Sequence, residues 1–282
     1  MAQEFTLEQI ASQVRRDIIR MVSKAASGHP GGSMSSTDMV TALFFKVMKH
    51  SPATWNRTGK GNDMFFLSAG HMSPLFYSVL ARTGYFDVKE LSTFREFGSR
   101  LQGHPSVEHH LPGIYMASGS LGQGLSVAAG AAIGKRLDKE NNNVYVLCGD
   151  GESEEGQIWE AAMFAAQHRL SHLIAMTDWN GQQIDGTTDS VISLGDLEAK
   201  WKAFGWNTIV ADGHDMKAIL AAFEQAGKNA EAGEKPTMIL MKTSMGKGVD
   251  FMEGTCKWHG KAPNAEQTEQ ALSQLEETMG DF

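Results

Sequence analysis

Residues 144–186 read VYVLCGDGESEEGQIWEAAMFAAQHRLSHLIAMTDWNGQQIDG. Val144 to Cys148 is a short apolar run rich in β-branched and aromatic residues, the pattern of a buried strand. Gly149-Asp150-Gly151 breaks the run. Acidic residues follow at Glu152, Glu154 and Glu155, and from Gly156 to His168 apolar residues recur with helical spacing. A second apolar run, Leu173 to Met176, predicts another strand, which ends at Asp178-Trp179-Asn180-Gly181. Strand, helix and strand in this order imply a parallel pair with a right-handed crossover. Asp150 and Asn180 then both fall just past the carboxyl ends of strands, where open α/β sheets bind ligands.

Asp150 offers a hard carboxylate, Asn180 a neutral carbonyl oxygen, and the loop after Asn180 free backbone carbonyls. Oxygen donors of this kind suit Mg²⁺ or Ca²⁺, with a phosphate completing the coordination. Gly149 and Gly151 let the backbone approach that phosphate, and the helix N-terminus beyond them favours an anion. A lone Gly-Asp-Gly is more simply an ordinary turn with a capping Asp. The strand-end Asn, thirty residues beyond Asp150, moves the balance toward a site.

Around this unit, 282 residues with 41% hydrophobic content are enough for one large α/β domain with a sizeable core. The expected architecture is a mostly parallel sheet flanked by helices, with residues 1–282 as a single domain. A net charge of −8 and no basic run argue against a nucleic-acid surface. Two cysteines, Cys148 and Cys256, make no disulfide framework and fit a reducing cytoplasm. The opening MAQEFTLEQIASQVRRDIIR is amphipathic and carries acids, unlike a secretory signal or transit peptide. No apolar run approaches the roughly 18 residues of a membrane span. A soluble cytoplasmic protein with no membrane partner is the expectation.

Leu7 to Ala26 has the apolar spacing of a surface helix, ended by Ser27-Gly28-His29-Pro30-Gly31-Gly32, a run that stops helices. Thr37 or Asp38 can cap the next helix, reaching about Lys49. Further strands are expected at Met64–Ser68, Trp206–Val210 and Pro236–Lys242. Helices are expected at Ser73–Ala81, Leu125–Leu137, Asp196–Phe204 and Met216–Lys228, and Phe86–Arg100 reads as a short helical stretch.

Four histidines, His29, His71, His104 and His259, each sit in a Gly- or Pro-rich turn. Any one alone reads as a structural or surface residue at about two to one. Together they stand where a parallel sheet gathers its loops, and several imidazoles there could hold phosphate and hydroxyl oxygens and pass protons. No pair has the close spacing of a zinc site. His109-His110 reads as a solvated loop, and Glu152 and Glu154 as surface acids. Glu155, one turn into the central helix, is either a favourable acid at a helix N-terminus or a proton carrier.

Gly-Asp-Gly, a helix and a strand ending in Asn resemble the thiamine-diphosphate signature. The ordered set SGHPGGS (27–33), DMFFLSAGHMSPLFY (63–77), GHP (103–105), GSLGQG (119–124), GDGESEEG (149–156), WNGQQIDG (179–186), FGW (204–206) and KWHGKAP (257–263) resembles transketolase over its N-terminal, diphosphate-binding third to half. The resemblance implies Asp150, Asn180 and the backbone carbonyl of Gln182 as ligands of Mg²⁺, or of Ca²⁺ or Mn²⁺. It implies His71, Gly151, Asn180 and His259 as diphosphate contacts. Gly119, Ser120 and Leu121 would meet the pyrimidine and thiazolium, with Leu121 holding the cofactor bent. His29, His104 and His259 would contact the sugar substrate. Glu155, with Glu160, would join an acidic network between the two cofactors of a dimer.

The implied reaction passes a two-carbon glycolaldehyde unit from a ketose phosphate to an aldose phosphate, with the cofactor as electron sink. Ser120 stands where the family has proline, and Trp179 and Gln182 replace more usual residues; a backbone metal contact tolerates Gln182. The pattern runs out near Phe282, before the family's pyrimidine-binding part, which carries the activating glutamate and the basic residues that grip the substrate phosphate. The expectation is the N-terminal subunit of a split transketolase, inactive alone and assembled as A2B2 with a separately encoded C-terminal subunit. The alternatives are the α subunit of a 2-oxo-acid dehydrogenase E1 and a non-catalytic thiamine-diphosphate-binding scaffold.

Overall fold

The apolar runs become strands β1 (Met64–Leu67), β2 (Val144–Gly149), β3 (Leu173–Trp179), β6 (Asn207–Asp212) and β7 (Thr237–Lys242), with a two-stranded hairpin β4 (Gln182–Gln183) and β5 (Gly186–Thr187) between. The structure, a computed structural model, describes residues 4–282, so the first three residues of the amphipathic opening and of the expected domain span lie outside it. β1, β2, β3, β7 and β6 pair in that order, all parallel. A parallel sheet is covered on both faces, and for that reason β1, β2 and β3 are almost continuously buried and apolar.

Side chains alternate between the two faces. Phe65, Leu67, Tyr145, Leu147, Ile174 and Met176 join one apolar cluster, and Met64, Phe66, Val144, Val146, Cys148 and Ala175 join the other. The first cluster is closed by α1 (Leu7–Lys24), α2 (Pro30–Ser35), α3 (Thr37–Ala42), α4 (Ser73–Arg82) and, further along, α9 (Met216–Ala232). The second is closed by α5 (Gln123–Leu137), α6 (Gly156–Gln167) and α8 (Leu197–Ala203). A short α7 (Thr188–Val191) follows the hairpin, and α10 (Ala265–Gln274) packs on α1. Among the described residues no helix is long and apolar enough to cross a membrane.

Register positions the site. Leu67 pairs with Leu147, Leu147 with Met176 and Met176 with Ile239, so four strands reach one edge together. Their following loops carry the Gly-, His- and acid-rich segments to that edge.

Three expectations need correction. Ser27–Gly32 does not simply stop helix: the chain turns at Gly28, with φ +141°, and a helix begins at Pro30, where a missing N–H costs nothing. Neither Thr37 nor Asp38 caps the next helix. Thr37 Oγ1 donates to the Ser33 carbonyl at 2.8 Å, and Asp38 pairs with Arg15 at 2.7 Å, because α2 runs through Ser36 almost directly into α3. Between Phe86 and Arg100 the helical part is only a 3₁₀ segment, Val88–Thr93. Helix α10 is an addition to the expected elements, although Asn264 and Gln267 form a capping box at its start.

Candidate active site

Asp150 stands at the first position past β2 and Asn180 at the first past β3. The Asp150 carboxylate accepts from the Gly151 N–H at 2.8 Å and from the Gly181 N–H at 2.5 Å, tying the two strand-end turns together. Asn180 accepts the Gln182 N–H on its side-chain oxygen at 2.9 Å and donates its amide to Asp178 at 2.9 Å. Asp178 is fully buried and also accepts hydroxyl bonds from Ser35 and Thr243. Burial, with Asp178 alongside, pushes the Asp150 carboxyl up to about 7.

The loops beyond β1 and β7, the turn before α2 and the irregular stretch between Thr93 and α5 bring in the imidazoles. Ring centroids of His29 lie 5.3 Å from His71, 6.2 Å from His104 and 5.6 Å from His259, and those of His71 and His259 are 4.9 Å apart. Burial lowers His29 to about 4, helped by His259, Arg95 and His104. It pushes His71 well below the usual range and lowers His259 and His104 too, with Arg95 adding to the effect on His104. At neutral pH these rings are uncharged, each with one donor and one acceptor nitrogen.

All four histidines, with Gly119 and Leu121, line a cavity of about 320 Å³. Asp150, Gly151, Glu155, Asn180 and Gln182 line the same cavity. Ser120 and Glu160 are exposed and do not line it, so the expectation that Ser120 meets the cofactor rings finds no cavity contact here. Glu155 is the residue preceding α6 and not one turn inside it, because a 3₁₀ turn, Gly151–Glu154, intervenes after the Gly-Asp-Gly. His109 and His110 are exposed.

Glu152 is not a surface acid. Only 2% of it is exposed, and it accepts from Ser68 Oγ, from the Gly122 N–H at 2.7 Å and from the Gly149 N–H at 3.0 Å. Burial raises the Glu152 carboxyl above its ordinary range, and the three donors offset part of that cost. Glu154 is half-buried, with one oxygen unpartnered. Sequence reasoning also gives no role to Arg95, which lies against Gly103 in an open cleft that shares His104 with the cavity. Its φ of +60° is not readable locally, but an Arg two residues past a helical stretch and close to Gly-His-Pro is a usable signal.

The cavity fits a phosphorylated cofactor and a hard cation on its own evidence. The Nδ1 atoms of His29 and His259 are buried without a partner. Asp150 and Asp178 make an acidic pit whose carboxyls burial disfavours as anions, a condition a divalent cation relieves. Among the described residues no three His, Cys, Asp or Glu side chains stand in metal-holding geometry. A cation here would therefore rest on Asp150 and neutral carbonyl oxygens, the set Mg²⁺ accepts and zinc does not favour.

The family model described as transketolase, thiamine diphosphate binding domain, matches residues 6–278. The chain is 43% identical over 274 residues to the 6-deoxy-6-sulfo-D-fructose transketolase subunit SqwG of Clostridium sp. (strain MSTE9), covering 97% of this chain and 98% of that one. It is 40% identical to an apulose-4-phosphate transketolase subunit of Phocaeicola vulgatus, covering 97% and 95%. Among solved structures, the transketolase of Campylobacter jejuni superposes with a TM-score of 0.87 at 34% identity, covering 95% of this chain and 42% of that chain.

Proposed function

The chain belongs to the transketolase family through its thiamine diphosphate binding domain, and from that premise we propose that it is the diphosphate-binding subunit of a split transketolase. It transfers a two-carbon glycolaldehyde unit from a ketose phosphate to an aldose phosphate together with a separately encoded C-terminal subunit. The observation that carries the reading is the one cavity shared by Asp150, Asn180 and four imidazoles at the carboxyl edge of the sheet.

When bound, thiamine diphosphate supplies the nucleophilic carbon and the electron sink for breaking the bond beside the ketose carbonyl. Asp150, the side-chain oxygen of Asn180 and the Gln182 carbonyl hold the divalent cation, Mg²⁺ first among Mg²⁺, Ca²⁺ and Mn²⁺. His71, Gly151, Asn180 and His259 contact the diphosphate. Gly119 and Leu121 present an apolar surface to the rings, and Ser120 extends the same turn. His29, His104 and His259 hold sugar hydroxyls. Being uncharged, each imidazole can take a proton from one oxygen and return it to another without a fixed positive charge. Glu155 supplies a carboxylate to the same cavity. Arg95, beside His104, supports a substrate with an anionic tail, and the two relatives act, by their names, on a sulfonated and a phosphorylated ketose.

Relatives named as subunits support the separate partner. An A2B2 assembly accords with the exposed apolar face on α5 and α6, formed by Val127, Leu137, Met163 and Phe164. Two free cysteines suit the cytoplasm. The test is a glycolaldehyde-transfer assay with thiamine diphosphate and Mg²⁺, on the chain alone and with the C-terminal subunit. Activity only in the mixture is expected, and strong turnover by the pure chain would sink the split-enzyme reading. Pyruvate decarboxylation in the same mixture would point to the dehydrogenase α subunit instead.

A further inference from the structure

We propose that Glu152 is a positioning residue, whose buried carboxylate latches the Gly119–Gly122 turn onto the Gly149–Gly151 turn and so sets the distance between Leu121 and the diphosphate end of the cavity. This rests on the cofactor reading above for its purpose, but the latch itself is a property of the free chain. Three segments far apart in sequence meet on this one side chain. Ser68, just past β1, donates its hydroxyl, Gly122 its N–H at 2.7 Å to the same oxygen, and Gly149 its N–H at 3.0 Å to the other. The Ser68 hydroxyl also accepts from the Gly124 N–H at 3.0 Å, so the start of α5 hangs on the same cluster.

The two turns differ in what else holds them. The Gly149–Gly151 turn keeps the Asp150 bonds to the Gly151 and Gly181 N–H groups and a strand bond from the Asp150 N–H to the Asp178 carbonyl. The Gly122 N–H has Glu152 and the Gly124 N–H has Ser68. Gly122 sits at φ +82°, and a side chain there would press on Glu155 at 3.0 Å, so the turn is shaped to lie against the acidic segment. Glu152 is therefore dispensable for the diphosphate turn and decisive for the Leu121 turn. An amide at this position keeps one acceptor and sets its NH₂ against a backbone N–H.

The experiment uses the full chain and Glu152→Gln. Without ligand, amide hydrogen exchange at Gly122 and Gly124 is expected to quicken about tenfold, with Gly151 and Gly181 within about twofold of wild type. An equal rise at both turns, or none, overturns the latch. In the assembly with the C-terminal subunit and Mg²⁺, affinity for thiamine diphosphate should fall about tenfold while affinity for inorganic pyrophosphate stays within about twofold. Equal losses on the two probes make Glu152 merely structural and overturn its role toward the rings. Leu121→Ala should then add little to Glu152→Gln for thiamine diphosphate; full additivity also counts against the proposal. If the Gln variant does not fold, Ser68→Ala weakens the same latch and carries the same comparison. Failure of the wild-type assembly with the C-terminal subunit to bind thiamine diphosphate would remove the cofactor reading, and the exchange result on the free chain would still decide the latch.

Discussion

Asp150 is held at the site against a strong electrostatic cost. It is buried, crowded by Asp178 and held by two backbone N–H groups. Asp150→Ala should leave the fold intact by circular dichroism, because its backbone pairing survives. Transfer activity in the assembled enzyme should drop more than about 100-fold, beyond what loss of a group merely supporting a ligand costs. Retained Mg²⁺-dependent cofactor binding in calorimetry would remove Asp150 from the proposed ligand set. His29 makes a second prediction, on pH. Its folded value, about 4, lies below its ordinary 6.5, so the unfolded chain binds the proton first as pH falls. The stabilisation from keeping this ring neutral is complete above about pH 6.5 and is lost progressively toward pH 4. Urea melts from neutral pH down toward that lower value should show this fall, with a shallower one in His29→Asn; parallel curves would mean the ring titrates normally.

At the scale of elements, α1 and α4 are bound by a buried ion pair, Arg82 to Asp17 at 2.8 Å, with Ser78 also donating to Asp17. Neither side chain is more than 4% exposed. Arg82→Met should cost about 3–5 kcal/mol in denaturant unfolding, because a carboxylate is left buried without its cation. Adding Asp17→Asn should recover part of that loss; no recovery would locate the cost in packing. α5 offers a contrast between two glycines. A Cβ on Gly124 would stand 2.4 Å from that of Ser68, so Gly124→Ala must push the helix off the end of β1, at about 1–3 kcal/mol. At Gly130 nothing lies within 4 Å, and Gly130→Ala should stabilise the isolated chain by about 0.5–1 kcal/mol through helix propensity. Thermal melts of the pair read both signs.

At the scale of the molecule, the sheet places the chemistry and the helices leave one face uncovered. Val127, Gly130 and Leu137 of α5 lie with Met163 and Phe164 of α6 on the exposed side of that pair. If this face is buried in an A2B2 enzyme, Met163→Glu should leave the isolated chain folded and halve the mass of the assembly with the C-terminal subunit. Light scattering reads the mass, and an unchanged tetramer would move the interface elsewhere.

The parallel sheet, the strand-end placement of Asp150 and Asn180 and the four histidine turns are all legible in the sequence. Each depends on local information: apolar period, Gly and Pro punctuation, and the rule that parallel strands gather their following loops at one edge. The continuity of α2 into α3 is not legible, since Gly and Pro there mark a turn and a helix start equally well. Nor is the fate of the acids after Asp150. Glu152, Glu154 and Glu155 are chemically alike and close in sequence, yet one is buried, one half-buried and one exposed. What separates them is donors from elsewhere, Ser68 from 84 residues away and Gly122 from 30. Arg95 reaches the histidines by the same route, through a fold that returns it against Gly103. Sequence alone determined which edge would do chemistry, because side-chain period and chain punctuation are local. Only the tertiary structure decided which charges are buried there, because a buried charge is stable only where distant segments supply its partners.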